Sequence, residues 1–325
     1  MANMKAAVMY APGGPEVLKV ESRPVPEVHS GQVLIRVRAF GLNRSEMFTR
    51  QGYSPGVVFP RILGIEAVGQ VEEAPGGEFL KGETVATVEG GMGRQFDGGY
   101  AEYTCVPAGQ VQRIRTDLPW EKLGAVPLML QTSWGSLLRS LRLEQKEHLL
   151  IRGGTSSIGF SAAAIAKRLG ATVSSTTRNS GRADLLRANG ADHVFIDTGE
   201  IAGTVRSQFP EGVDKVLELV GTTTLKDSLR CARQQGIVCM TGIVGNQWSF
   251  ESFNPMEVIP TAVCLTSFAG EARDFMRAPI QELVDQIASG ELFVQIGRVF
   301  HLDEIVEAHR CMEENKAGGK IVVLT

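Results

Sequence analysis

Cysteine is scarce and scattered: Cys105, Cys231, Cys239, Cys264 and Cys311 are all there is in 325 residues, with no C-x-x-C spacing. That excludes a disulfide framework and a cysteine-based metal knuckle, and it points to a reducing, cytoplasmic setting. Neither sign of charge dominates, since 33 Lys and Arg face 36 Asp and Glu for a formal net charge of -3. The broad positive footprint of a nucleic-acid partner is therefore missing. Long apolar runs are missing too: none approaches the ~20 residues of a membrane helix. Met1 to Tyr10 lacks the charged segment and apolar stretch of a secretory signal, so no membrane insertion is expected. Internal repeats and low-complexity segments are absent. What is there is an ordinary globular chain, 43% hydrophobic and 21% charged, long enough for two domains.

Two textures divide it. From Met4 to about Trp120 come short β-like runs broken by Gly and Pro: Lys5 to Met9, Gln32 to Arg38, Ala67 to Glu72 and Glu83 to Val88. Val33 to Val37 alternates apolar and polar residues, the pattern of a half-buried strand, and the whole region suggests a β-rich sandwich or barrel. After Leu123 strands alternate with helices. Leu149 to Ile151, Ala171 to Thr177, Val194 to Ile196, Lys215 to Val220, Ile237 to Met240 and Val263 to Ser267 supply six strands of a doubly wound parallel sheet. Arg273 to Gly290 reads as one amphipathic helix. A strand (Leu292 to Phe300), a helix (Asp303 to Asn315) and a last strand (Gly319 to Leu324) follow and are expected to return to the first domain.

The sharpest local signal is Leu150-Ile-Arg-Gly-Gly-Thr-Ser-Ser-Ile-Gly159, a strand that passes through small residues into a helix. Small residues admit backbone N–H groups to a pyrophosphate, and the helix start adds partial positive charge. Gly153 and Gly159 keep the outer spacing of G-x-G-x-x-G, with Ser156 at the middle glycine. At the end of the second strand, where an acid would hold a ribose 2′-hydroxyl, stands Thr176-Thr-Arg-Asn-Ser-Gly-Arg182. Thr177, Arg178 and Arg182 offer hydroxyl and guanidinium donors and no carboxylate, which suits the 2′-phosphate of NADPH.

Several motifs together resemble one family, the zinc-independent quinone oxidoreductase branch of the medium-chain dehydrogenase/reductase superfamily. They are Gly13-Gly-Pro-Glu-Val-Leu18, Gly41-Leu-Asn43, Leu63-Gly-Ile-Glu-Ala-Val-Gly69, Gly98-Gly-Tyr-Ala-Glu-Tyr103, Gln131-Thr-Ser-Trp134, the glycine loop, and Lys316-Ala-Gly-Gly-Lys-Ile-Val-Val323. The resemblance spans almost the whole chain. It implies an α/β protein with a GroES-like β-rich catalytic domain (1-121 and 270-325) and an inserted Rossmann NADP(H)-binding domain (122-269). The related alcohol dehydrogenases hold a catalytic zinc on Cys, His and a further Cys or acid. Asn43 stands at the first of those positions, Ile65 at the second and Leu128 at the third, and Ile and Leu offer no lone pair to zinc. No metal is expected.

The resemblance also assigns roles. Asn43 would lie beside the nicotinamide and donate to a quinone or enone oxygen, although a plain turn role also fits it. Tyr53 falls one position from the proton-donating tyrosine of related 2-enoyl reductases, with Ser54 in the matching slot. Glu46 is read either as orienting Asn43 or as an exposed loop acid, and Glu66 as a structural hydrogen-bonding group. Thr132 would meet the nicotinamide, Gly153, Gly154, Thr155, Ser156, Ser157, Ile158 and Gly159 the pyrophosphate, and Val220, Gly221, Gly242, Ile243 and Val244 the nicotinamide again. Lys316 is the candidate for an adenosine phosphate. His301 and His309 are read as surface or capping residues, and Cys231, Cys239 and Cys264 as core fillers. The implied activity is NADPH-dependent reduction of a quinone without a metal. An enoyl or alkenal double-bond reductase and a low-turnover NADPH-binding sensor are the alternatives, and a homodimer is expected.

Overall fold

Two units interleave along the chain. One ends at Gln131 and resumes over Glu271–Thr325, and the other is Thr132–Gly270. The structure, a computed structural model, describes residues 2–325.

The inner unit is a sheet of six strands: His148–Arg152, Thr172–Thr177, His193–Ile196, Val213–Glu218, Ala232–Met240 and Cys264–Ser267. In space they run third, second, first, fourth, fifth, sixth, and every neighbouring pair is parallel. Apolar runs such as Leu149-Leu-Ile151 are buried in this sheet, as in sheets covered on both faces, while the second strand, Thr172–Thr177, buries small hydroxyl residues beside its one apolar residue, Val173. The order reverses between the first and fourth strands, so the crevice for a ligand opens at their carboxyl ends.

Buried charge fixes those ends. Arg152 closes the first strand with no exposed surface. Its Nε and Nη2 each donate to Asp197 at 2.9 Å, and its Nη1 donates to Asp227 at 2.6 Å. Asp227 also accepts from the backbone N–H of Ile201 at 2.8 Å. At the end of the fourth strand, fully buried Glu218 accepts from the N–H groups of Val220 at 2.7 Å and Gly221 at 2.9 Å, and from Thr224 Oγ1 at 3.0 Å.

The other unit contains a three-stranded sheet, ordered Leu18–Pro24, Asn3–Met9, Arg61–Ile62, and a seven-stranded one. The larger sheet runs Ile296–His301, Lys320–Leu324, Gln32–Gly41, Glu66–Glu73, Thr84–Val88, Val111–Arg113, with Tyr103–Pro107 also paired to Gln32–Gly41. The last strand thus returns to the first unit, Val322 opposite Gly41 and Val323 opposite Phe40. A core of Val8, Met9, Val33, Ile35, Phe40, Leu63, Val85 and Tyr100 fills it.

Four expectations are corrected. Arg273 to Gly290 is not one helix but two, Ala272–Phe275 and Ile280–Ala288, parted at Pro279, which has no N–H to continue the ladder. The strand placed at Leu292 begins only at Ile296. Cys264 is exposed rather than a core filler, because its strand is the outer edge of the parallel sheet. His309 is neither a surface nor a capping residue. It is wholly buried, its Nδ1 accepting from Arg50 Nε at 3.3 Å and its Nε2 facing Tyr100 Oη at 3.1 Å. Burial, reinforced by the Arg50 guanidinium, lowers it to about 3, so the imidazole is neutral. Arg50 is itself buried and also binds Gly13 O and Glu313.

Replacing Arg152 strands two buried carboxylates. Arg152→Met is expected to lower unfolding free energy by ~3–5 kcal/mol, read as a shift in the urea midpoint of the purified protein.

Candidate functional site

In the inner unit the glycine loop turns directly into the helix Ser157–Leu169. Ser156 is its N-cap: Oγ accepts from Gly159 N at 3.1 Å and donates to Gly153 O at 2.8 Å. The middle glycine of the usual motif is thus replaced by a residue whose side chain closes the turn on itself, leaving the backbone of Ser157 and Ile158 in the open first turn. A Cβ on Gly154 would overlap Ser175 Oγ, and one on Gly159 would lie 2.5 Å from Gly154 O. Backbone therefore packs on backbone here, the close approach a pyrophosphate requires, and the site fits a dinucleotide.

The predicted cofactor residues that follow the second, fourth and fifth strands sit at the same ends of the sheet, whereas Thr132 lies in a helix and Lys316 in the β-rich unit. Thr177 ends the second strand, with its Oγ1 donating to Asn179 O at 3.1 Å. Arg178, exposed, and Arg182, half-buried, follow it. The nearest acid on the neighbouring strand end, Asp197, is committed to Arg152. Val220 and Gly221 leave the fourth strand and Gly242, Ile243 and Val244 the fifth. The two segments are joined by Val244 N to Leu219 O at 3.1 Å and Gly245 N to Val220 O at 2.8 Å. Thr132 lies in the helix Pro127–Trp134 and is half-buried. Lys316 is exposed and paired with Glu314 at 2.6 Å.

The β-rich unit holds the second cluster. Lys320 and Glu66 form an ion pair of 2.9 Å, with side chains 2% and 0% exposed. Glu66 Oε1 also accepts from Asn43 Nδ2 at 2.9 Å, and its Oε2 from Leu128 N at 2.9 Å. Lys320 Nζ donates to Asn43 Oδ1. With a cation on its oxygen and a carboxylate on its nitrogen, the Asn43 amide has only one orientation. Its remaining N–H is weakly shared between Gly41 O and Glu46 Oε1, each 3.3 Å away. Gly41 has no room for a side chain, because a Cβ would overlap Lys320 Cε and Glu66 Oε1. Glu46 is 1% exposed, hence no loop acid, and its Oε1 also accepts from Ile65 N at 3.1 Å. Its Oε2 is buried without a partner, and burial raises the group from 4.5 to about 7. Glu89, on the loop after Val88, is raised to about 7 for the same reason. Tyr53 stands apart at 66% exposure, edge-on to Phe48.

Residues 29–116 match the family described as alcohol dehydrogenase GroES-like domain, and residues 189–323 the family described as zinc-binding dehydrogenase. The quinone oxidoreductase of Pongo abelii is 28% identical over 335 residues, covering 99% of this chain and 98% of its own. A 2-haloacrylate reductase of a Burkholderia species is 28% identical over 337 residues, covering 98% of each. A mycobacterial protein solved in complex with NADPH has a TM-score of 0.87 and 26% identity, covering 99% of this chain and 100% of its own. The chain belongs to the medium-chain dehydrogenase/reductase superfamily, in its quinone oxidoreductase-like branch.

In this branch member the β-rich unit is the GroES-like domain and the parallel sheet the Rossmann-type one. The zinc in the family description is not matched by the donors. The three positions that would ligate it converge on Glu66 and Glu46, but through the amide of Asn43 and the backbones of Ile65 and Leu128. Neither hydrocarbon side chain binds zinc, and a lysine ammonium already neutralises the one carboxylate nearest to Asn43. Sequence reasoning overlooked Lys320 as a site residue. The signal was there: a lysine opening the apolar strand Lys320–Leu324 needs a buried partner, and Glu66 in Gly-Ile-Glu-Ala-Val is of the same kind.

Native Glu46 keeps its proton between pH 4.5 and about 7, where the unfolded chain has lost it. Its contribution to stability is therefore greatest below pH 4.5 and declines as pH rises to about 7. His309 acts oppositely, since between 6.5 and about 3 only the unfolded chain takes up its proton, and stability is lost as pH falls. For Glu46→Gln, the unfolding free energy of wild type minus variant should fall by on the order of 3 kcal/mol from pH 4.5 to pH 8. Denaturant titrations across that range measure it, and a flat difference contradicts the assignment.

Proposed function

We propose that the protein is an NADPH-dependent reductase that passes hydride to a quinone without a metal. The observation that supports this most is the ion pair of Lys320 and Glu66 locking Asn43 where dehydrogenase relatives begin their zinc site. A quinone carbonyl needs only a close hydride donor and a hydrogen bond to its oxygen, whereas oxidising an unactivated alcohol needs help in forming an alkoxide. NADPH, when bound, supplies the hydride from its reduced nicotinamide. The N–H groups of Ser157 and Ile158 would hold the pyrophosphate, and Arg178 and Arg182 the 2′-phosphate, in a planar donor geometry suited to that group. Gly153 to Gly159, Thr177 and the Val220, Gly221, Gly242, Ile243 and Val244 segments would shape the rest of the cradle, with Thr132 beside the nicotinamide. Lys316 would meet an adenosine phosphate by giving up its pairing with Glu314. Asn43, held in that orientation, would present its weakly held N–H to the acceptor oxygen in place of Gly41 O and Glu46 Oε1, and solvent would supply the proton that completes the hydroquinone.

The name of the Burkholderia relative favours a second reading, reduction of a carbon–carbon double bond conjugated to a carbonyl or carboxylate. There Tyr53 would deliver the proton to the carbon skeleton. We also infer a homodimer joined at the outer strand Cys264–Ser267, whose free edge offers unpaired backbone groups.

Chelator-treated protein should oxidise NADPH with 1,4-benzoquinone at a rate equal to the untreated protein. Turnover confined to a 2-alkenal, and lost in Tyr53→Phe, would move the assignment to the second reading. The double variant Arg178→Ala, Arg182→Ala should bind NADPH roughly tenfold or more weakly while NADH affinity is unchanged. Sedimentation should give twice the chain mass, and a monomer would refute the pairing.

A further inference from the structure

Arg38 donates to Gln70 Oε1, whereas six other arginines in the β-rich unit pair with a carboxylate: Arg23 with Glu21, Arg50 with Glu313, Arg61 with Asp97, Arg113 with Glu83, Arg273 with Glu271 and Arg310 with Glu307. Arg94 does not. It is partly buried, and among the described residues no carboxylate lies within ion-pair distance of it. Among the described residues its guanidinium makes one hydrogen bond, from Nη2 to Ser45 Oγ, and its Nε is shut away from water with no acceptor. A guanidinium held partly out of solvent without an anion is unfavourable by itself and becomes favourable when an anion arrives.

The acids around it do not supply that anion. Glu89 shares its loop and feels its charge, but burial keeps that carboxyl near the midpoint of its titration at neutral pH. Of the acids next to Glu89, Glu271 is bound to Arg273 and Asp274 accepts from Glu271 N at 3.1 Å. The loop is also held in place, with Glu89 N on Ile65 O at 2.7 Å and Gly93 N on Phe96 O at 2.9 Å. Its position gives Arg94 a use. Ser45 lies in the first turn of the helix Arg44–Arg50, whose N-cap is Asn43, so the guanidinium is moored two residues from the amide assigned to the acceptor oxygen.

We propose that Arg94 selects the acceptor, favouring molecules that carry a carboxylate beside the reducible carbonyl or double bond. This rests on the reductase reading above, with the acceptor's oxygen at Asn43 and its carboxylate across the planar donor edge of Arg94.

The test uses the full-length, NADPH-saturated protein and two readouts. Calorimetric titration compares benzoate with benzamide, which have the same shape and differ in charge. Steady-state kinetics compares 2-carboxy-1,4-benzoquinone with its methyl ester. Wild type should favour the carboxylate member of each pair by about tenfold or more, and Arg94→Gln should lose that preference with the neutral member unchanged. Arg94→Lys should retain part of it, since an ammonium keeps the charge without the fork. Unchanged NADPH affinity in both variants shows that they are folded. Equal binding of benzoate and benzamide by wild type, or an undiminished preference in Arg94→Gln, overturns the proposal. So does a loss of NADPH affinity in the variants, which would assign the guanidinium to the cofactor. If neither quinone is turned over while the Arg94-dependent benzoate preference stands, the quinone reading fails and the assignment of Arg94 survives.

Discussion

A lysine ammonium and a glutamate carboxylate, both out of reach of water, govern the GroES-like domain. Lys320 and Glu66 are 254 residues apart in sequence and 2.9 Å apart in space. Such a pair is tolerable only when every remaining donor and acceptor is satisfied, because neither ion keeps its hydration. That demand organises the neighbourhood. Glu66 takes a backbone N–H from Leu128 and an amide N–H from Asn43, Lys320 takes the Asn43 oxygen, and Gly41 must stay bare to leave them room. The orientation of Asn43 is thus a result of charge, and so is the single amide hydrogen left weakly engaged.

The Rossmann-type domain solves a related problem differently. Its strands must end together to form a cradle, yet their last residues are the ones without a continuing ladder. Arg152 between Asp197 and Asp227, and Glu218 against two N–H groups and a threonine hydroxyl, tie the ends of three strands to the segments that follow. Buried polar groups in a low-dielectric interior are strong when fully paired, so these contacts hold the backbone of the loops still. A preorganised cradle of this sort lessens the ordering a bound dinucleotide would demand.

Much of this was legible beforehand, and the gaps have physical causes. The parallel strands were readable because short apolar runs such as Leu149 to Ile151 and Val194 to Ile196 recur with helical stretches between them, even though the second strand is mostly Ser and Thr. The loop from Gly153 to Gly159 was readable because backbone contact leaves small residues behind. Short antiparallel strands such as Leu18–Pro24 and Tyr103–Pro107 escaped notice, since their exposure is mixed and no regular alternation marks them. Leu34 is buried where alternation put a polar face, because its strand has neighbours on both edges and is covered on both sides. His309 and Lys320 were misjudged or passed over for one reason: a polar residue in sequence looks like surface until its partner is known, and Arg50 and Glu66 lie far away along the chain. Pairings over such distances are made by the fold and leave no local pattern.

The return of the strand Lys320–Leu324 to the sheet begun by Gln32–Gly41 also orders events in time. On the ribosome the Rossmann-type domain has its whole sheet once residue 267 has emerged, and it can fold while synthesis continues. The GroES-like domain cannot. Its strand Gln32–Gly41 waits with one edge open and Glu66 without its cation until residues near 320 appear. From residue 267 until the last strand appears, the chain therefore carries a finished domain in the middle and an unfinished one at its front, whose open strand edge stays unpaired.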